Sequence, residues 1–452
     1  MRSTQHRDTL EFVKSLHEAQ EEIRIALRQE RYAEAQAMLV ECQEFAAALG
    51  EFIEKTEGAG HITVSRIEEY CESLYQVYQG ISDGPVQENK IYRSLKQRLF
   101  KIENSIKNDI RVRTEVVFFP YKAAMWDSLE SIYLAARRDP NCDAYCVPVP
   151  YFDLKPDHSF GQMHYEGREY PPGIEVTDWQ EYRFEERKPD VIYIHNAYDN
   201  WNLVTSVHPR FYSENLKRYT DELVYVPYFV LGQINPADEK AAERIKHFCF
   251  LPGIVYADRV IVESDAVKKI YVREYLKAAT TSGLGGKHLD REYVEEKIQV
   301  EESPKYKKVL NTRKEDIDIP DDWRHMLEHQ GGRQKKVIFY NTSIQALLDN
   351  EEKMLDKIEE ALEIFEGQKE YITLLWRPHP LLESTMEAMR PAMMPAYRSI
   401  LDEYRTAGWG IYDNTADLNR AIALSDAYYG DNSSIVQLFI QAQKPVMLVS
   451  YG

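Results

Sequence analysis

The sequence predicts an α/β chain: two doubly wound, Rossmann-like halves facing a cleft, preceded by an all-α N-terminal region. Three observations predict it. Residues 1–108 carry apolar seams at helical spacing. From Glu115 short apolar runs alternate with helical stretches, the mark of a parallel sheet covered by helices on both faces. That alternation begins afresh at Lys336, after a charged, Gly-bearing segment.

At 452 residues the chain exceeds one ordinary domain, and we divide it into regions 1–108, 109–308 and 309–452. Its net charge of −18 argues against nucleic acid as a partner. No apolar run reaches the roughly 20 residues that span a bilayer, and the start MRSTQHRDTLEF lacks a signal-peptide core. The expected location is cytoplasmic, at most peripheral at the inner face of the cell membrane. The five cysteines are odd in number and scattered, which reads as reduced thiols. Cys142 and Cys146 lack a second pair, so no zinc site is expected. We expect no metal and no cofactor.

In the first region, Tyr32, Ala35, Leu39, Cys42, Ala46 and Leu49 form one seam. Ile67, Tyr70, Cys71, Leu74, Val77 and Tyr78 form a second, and Ile91, Leu95, Leu99, Ile102 and Ile106 a third. Gly58-Ala59-Gly60 and Ser82-Asp83-Gly84-Pro85 are the breaks. These seams make a helical hairpin or small bundle, suited to packing, to homo-oligomer formation or to docking a partner. In the second region the strands are expected at Glu115–Phe119, Ala144–Val149, Val191–Ile194, Leu223–Val226 and Arg259–Val262. A helix is expected over Trp126–Arg138, with Asp127 and Glu130 at capping-box spacing. The segment from Gly283 to about Lys308 reads as a hinge. In the third region the strands are Val337–Tyr340, Tyr371–Trp376, Trp409–Tyr412, Asp426–Tyr429 and Val446–Val449. The helices between them are Glu351–Glu366, Glu383–Arg405, Ala416–Leu424 and Ser433–Gln441.

Ligands of such folds bind at the carboxyl ends of the strands, in the cleft between the halves. Two stretches of the last region belong there. Asn432, Ser433 and Ser434 are N-cap residue types before an apolar helical run, a helix start that offers free N–H groups and hydroxyls to phosphate. Upstream, Arg377-Pro378-His379-Pro380 comes after a buried-looking strand. Arg377 offers a planar fork for phosphate oxygens, and His379 a donor or general acid, on a turn stiffened by prolines. Asp413, Asp417, Asp426 and the Ser433-Ser434 helix start follow, at the spacing of successive strand ends.

These residues resemble the CDP-glycerol glycerophosphotransferases, the family of teichoic-acid polymerases and primases, whose layout is that of GT-B transferases. The resemblance rests on Arg377-Pro378-His379-Pro380, Asp417 to Asp426, Gly430-Asp431-Asn432-Ser433-Ser434 and Lys444-Pro445-Val446. Asn341-Thr342-Ser343 match the family's Pro-Thr turn loosely. It is specific over Lys336–Val449 and weaker over Glu115–Lys308. It implies transfer of glycerol phosphate, or a related alditol phosphate, from a CDP-activated donor to a hydroxyl of a cell-surface polymer or its precursor. Residues 309–452 would hold the nucleotide donor and residues 109–308 the glycan or lipid-linked acceptor. Ser433, Ser434, Arg377, Asn341, Thr342, Ser343 and Asp431 would bind the donor phosphates, with His379 steadying the charge or protonating the leaving phosphate. GT-B chains usually finish with a helix that crosses back to the first half. Here it is expected to be absent or cut off.

The family's amino-terminal Trp-His-Gly-Thr-Pro-type loop has no counterpart. By position it corresponds to Tyr225-Val226-Pro227-Tyr228-Phe229, which lacks histidine. The replacement base is expected at His195, at the end of a strand, oriented by Asp199. The bland reading of His195 is a packed histidine. His208 with Arg210 is a further anion-binding pair, and His164 another candidate of that kind. Tyr121, Lys122 and Trp126, after the first strand, are expected to line the acceptor side of the cleft. The aromatic-rich stretch Tyr151 to Tyr228 suits either sugar stacking or packing. Two other functions fit the same cradle: a glycosyltransferase using a nucleotide sugar, and a non-catalytic nucleotide-binding assembly protein.

Overall fold

The computed structural model describes residues 1–81, 87–232, 234–329 and 332–451. They form two compact units, one of Met1–Glu115 with Asp139–Asp143, the other of Val116–Arg138 with Ala144–Gly452.

The first unit is a four-helix bundle of α1 (Ser3–Arg28), α2 (Tyr32–Glu57), α3 (Ile62–Gly80) and α4 (Glu88–Asp109). Helix α1 packs on α2 and α4, and α3 on the same two. The seams are the core: Ala35, Leu39, Cys42, Ala46, Leu49, Ile67, Tyr70, Leu74, Leu95, Leu99, Ile102 and Ile106 are all buried. The outermost seam positions, Tyr32 and Tyr78, are exposed. Inside the bundle Gln20 Nε2 donates to Tyr70 Oη at 2.8 Å, pairing two buried polar side chains, while Gln20 Oε1 has no partner among the described residues. The break at 58–60 holds, with Gly58 and Gly60 at φ +96° and +89°. The expected turn Ser82–Pro85 lies outside the described residues.

The second unit holds two parallel sheets. The strands of the first are β1 (Thr114–Phe119), β2 (Cys142–Cys146), β5 (Val191–Ile194), β7 (Glu222–Tyr225), β8 (Arg259–Val262) and β9 (Ile298–Val300), in the order β2-β1-β5-β7-β8-β9. Strands β1, β5, β7, β8 and β9 pair parallel in turn. A second sheet orders β12 (Ile411–Tyr412), β11 (Ile372–Pro378), β10 (Lys336–Thr342), β13 (Ala427–Gly430) and β14 (Val446–Leu448), again all parallel. This is the doubly wound, GT-B layout expected from the sequence. A small antiparallel sheet of β3 (Tyr151–Leu154), β4 (Phe160–His164) and β6 (Thr205–Val207), in the order β4-β3-β6, was not expected.

Several elements differ from expectation for identifiable reasons. The hinge is structured: Asp290 caps a helix Arg291–Lys297, β9 extends the first sheet, and Pro304–Asn311 is helical. Pro391 divides the expected helix Glu383–Arg405 into Leu382–Met389 and Met394–Ala407. The expected helix from Trp126 is a 3₁₀ segment, Ala123–Ser128, followed by a helix Glu130–Arg138. Asp127 caps nothing there, because its carboxylate is held by Lys305 at 2.6 Å.

Candidate functional site

A cleft of about 360 Å³ lies within the second unit. Lys122, Tyr151, Asp153, His164, Glu166 and Glu169 line it from the first half. Arg377, His379, Glu383, Glu387, Tyr412, Asp413 and Thr415 line it from the second.

On the second side, β11 runs two residues further than expected, so Arg377 is its penultimate residue and not part of a loop. Its side chain is 5% exposed and pairs through Nη1 with Asp413, itself fully buried. Nη2 donates to the Thr415 carbonyl at 2.8 Å. Asp413 in turn accepts the Thr415 N–H at 3.0 Å and its hydroxyl at 2.6 Å. The guanidinium fork expected to grip phosphate is thus spent on a neighbouring carboxylate.

His379 stands next, on the turn. Its Nδ1 accepts the Leu381 N–H at 3.1 Å, which places the ring proton on Nε2. Burial, reinforced by the Lys122 charge, pushes its pKa down to about 4. Near pH 7 His379 is a neutral imidazole whose Nε2–H is a donor. It can hydrogen-bond a phosphate oxygen but holds no extra proton to give, which corrects the expectation of a general acid.

Opposite stands Lys122. Burial lowers its pKa, while Glu166 and other carboxylates raise it. Its ammonium sits 4.6 Å from the Tyr151 ring centroid, and its nearest carboxylate oxygen, on Glu166, is 3.9 Å away. Glu166 is already engaged by the Tyr151 hydroxyl at 2.6 Å and the Ala123 N–H at 2.8 Å. Lys122 is therefore more loosely paired than Arg377. Next to it the His164 ring stacks on Tyr151 with centroids 5.0 Å apart, and His164 Nε2 meets Asp153 Oδ2 at 2.6 Å. Burial, with Glu166 second, raises the pKa of Glu169.

The helix start at Ser433 is a buried hub more than an open cradle. Ser433 Oγ caps Ile435 N–H and donates to Asn341 Oδ1 at 2.9 Å. Asn341 Nδ2 holds the Arg377 carbonyl at 3.0 Å. Asp431 accepts the Ser343 N–H and the Tyr451 hydroxyl, both at 2.6 Å. Trp376 Nε1 donates to Thr342 Oγ1 at 3.3 Å. Asn341, Thr342, Ser343 and Asp431 are buried, so this polar set braces the strand ends from below and does not line the cleft. Ser433 and Ser434 are partly exposed but also stand outside its lining.

The remaining expected residues lie elsewhere. His195 is fully buried. Its Nε2 accepts the Tyr121 N–H at 2.6 Å and its Nδ1 meets Ser128 Oγ at 2.9 Å. Burial, then the Lys305 charge, drives its pKa down to about 3. Asp199 does not orient it, because both carboxylate oxygens hold Ser213, at 2.8 and 2.9 Å. Those two readings are corrected: His195 is a structural acceptor. Tyr121 and Trp126 are buried, Tyr121 donating to Thr205 Oγ1 at 2.6 Å. Arg210 makes a two-pronged pair with Glu185, 2.7 Å on each side, and His208 Nδ1 accepts the Arg210 N–H at 3.2 Å. No free anion site remains at that pair.

The pairing of His164 with Asp153, and the place of Glu166 beneath Lys122, were not expected from the sequence. A signal was present: Asp157-His158-Ser159 is turn chemistry between two short runs, so a hairpin could have been read across it.

Among the described residues no cluster of three or more metal-ligating side chains occurs, and no helix is long and apolar enough to cross a membrane. No protein-family model and no curated protein matches the chain. Solved structures do, at low identity. UDP-GlcNAc 2-epimerase of Methanocaldococcus jannaschii, in complex with UDP-GlcNAc and UDP, is 11% identical over 74% of this chain and 83% of its own, with a TM-score of 0.42. The S. aureus MnaA–UDP structure is 11% identical over 74% and 78%, with a TM-score of 0.40. A wall teichoic acid polymerase, TagF, is 14% identical over 84% and 78%, with a TM-score of 0.37.

Proposed function

We propose that this chain is a transferase that moves glycerol phosphate, or a related alditol phosphate, from a CDP-activated donor to a hydroxyl of a cell-surface polymer or its precursor. One observation carries the reading. His379, a neutral donor on the Arg-Pro-His-Pro turn, shares a cleft with Lys122, whose ammonium has no carboxylate oxygen closer than 3.9 Å. A neutral N–H donor and a loosely paired cation, half sheltered from water, are what a phosphoryl group needs while charge shifts on its oxygens. Arg377, tied to Asp413, fixes the turn that carries His379. The carboxylates of the opposite wall, Glu166 and Glu169 among them, suit a hydroxyl-rich acceptor.

The test is a donor screen with the purified chain. CDP-glycerol, CDP-ribitol, UDP sugars and GDP sugars are each supplied with free glycerol or a cell-wall extract, and the nucleotide released is identified. CMP from a CDP-alditol is expected. Release of UDP or GDP instead makes it a glycosyltransferase. Binding of CDP-glycerol without turnover in any extract makes it a non-catalytic assembly protein.

A further inference from the structure

The hairpin β3–β4 places a histidine–carboxylate pair on the wall of the cleft. Tyr151 lies directly opposite His164 in the register, and Asp153, two residues on, shares the face of Tyr151. His164 and Asp153 are thus diagonal neighbours across the hairpin, a geometry that brings long side chains into reach. Their 2.6 Å contact runs through Nε2 of His164. In the neutral ring that nitrogen then carries the proton and Nδ1 keeps its lone pair. Nδ1 has no hydrogen-bond partner among the described residues. Both side chains remain partly open, at 31% and 39% exposure, and both line the cleft that holds Lys122 and His379. Stacking on Tyr151, itself anchored by Glu166, holds the ring in place.

We infer that His164 is the general base of this cleft, taking the proton of the acceptor hydroxyl, with Asp153 as its positioning residue. The inference rests on the transfer reading above. The acceptor O–H proton passes to His164 Nδ1, and the acceptor oxygen bonds to the β-phosphorus of the CDP-alditol. The bond from that phosphorus to the oxygen of CMP breaks, and CMP leaves with the electron pair. The imidazolium, steadied by Asp153, then releases its proton to water. A carboxylate that fixes the tautomer and stabilises the imidazolium is the general form of such a pair.

Wild type, His164→Gln and Asp153→Asn are compared for CMP release from CDP-glycerol with free glycerol as acceptor, across pH 5 to 9. Donor affinity is followed by calorimetry. His164→Gln is expected to lower kcat by about 10²–10⁴-fold with CDP-glycerol affinity unchanged within threefold. Asp153→Asn is expected to keep part of the rate, lowering kcat while CDP-glycerol affinity holds, since the ring is no longer fixed in tautomer and orientation. If wild type turns over and His164→Gln stays within threefold of its kcat, the inference is overturned and the transfer reading stands. It is overturned in the same way if Asp153→Asn leaves kcat unmoved, or if rate and donor affinity fall together, as in a merely structural role. A wild-type chain that releases CMP from no CDP-alditol overturns the transfer reading and this inference with it.

Discussion

Lys305 donates to both carboxylate oxygens of Asp127 at 2.6 Å, and the two side chains are 5% and 8% exposed. Asn419 adds a third bond to Asp127 at 3.1 Å. The pair joins the 3₁₀ segment behind Lys122 to the helix Pro304–Asn311, and Asn419 joins both to the helix after Asp417. Removing one partner of such a pair strands a buried charge, at a cost of about 3–5 kcal/mol. Lys305→Met is therefore expected to lower the unfolding free energy by about that amount in urea. Lys305→Met with Asp127→Leu should recover most of it, because no charge is then left unpaired. A single variant within about 1 kcal/mol of wild type would show the pair to be solvated.

The strand–helix alternation of both halves was legible because buried parallel strands are short apolar runs, and those at Val191–Ile194 and Arg259–Val262 match to the residue. The bundle seams were legible from their spacing. The turn Asp157-His158-Ser159 marked the hairpin β3–β4, but its strands were not legible, because they show mixed burial and lack a clean apolar alternation. The positions of His379 and Lys122 at strand ends could be read from topology. What each side chain binds could not. Arg377 looked like a free fork because its partner, Asp413, is 36 residues away. His195 looked like a cleft base because a strand end is where cleft residues sit, whereas the loop bearing Tyr121 folds over it.

His195 offers a pH-dependent test. Its pKa is about 3 in the fold and about 6.5 in the unfolded chain. A histidine whose folded value is depressed contributes its full stability above the unfolded value and loses it as pH falls towards the folded one. Between pH 7.5 and 5 that loss is about 2 kcal/mol, at about 1.4 kcal/mol per unit below 6.5. His195→Ala is expected to destabilise by about 2–4 kcal/mol at pH 7.5, through an unmet Tyr121 N–H and a cavity. The gap to wild type should narrow by about 2 kcal/mol at pH 5, measured by urea unfolding at both values. A constant gap, with turnover lost instead, would restore His195 as a base.

The two cations of the cleft should separate in their effects. Arg377→Lys cannot keep both the Asp413 and the Thr415 contacts, and it is expected to cost about 1.5–3 kcal/mol of stability. Its affinity for CDP-glycerol should fall less than tenfold, because the fork faces Asp413. Lys122→Ala should do the reverse, changing the melting temperature little and weakening donor binding by about thirtyfold, or about 2 kcal/mol. Calorimetry and thermal unfolding on both variants decide it. The opposite ranking would return the phosphate to Arg377.

Gly430 ends β13 at φ +142°, where a Cβ would collide with the Asn341 carbonyl oxygen and stand 2.8 Å from its nitrogen. Both atoms are backbone of β10, which cannot move without disturbing the register that pairs Asn341 with Gly430. Asn341 also braces Arg377 and Ser433, so strain here would be felt at the turn bearing His379. Gly58 is the control: its φ is +96°, and a Cβ there meets nothing within 4 Å. Gly58→Ala carries only the conformational penalty of its φ +96°, ψ 158° backbone, about 1–3 kcal/mol. Gly430→Ala adds steric overlap of the kind that costs about 1–3 kcal/mol in a packed interior. Denaturant midpoints should therefore fall further for Gly430→Ala, and its donor affinity should drop while that of Gly58→Ala holds. Equal midpoints would mean that the two strands part easily at this end, and that the hub of Asn341, Asp431 and Ser433 does not fix the turn above it.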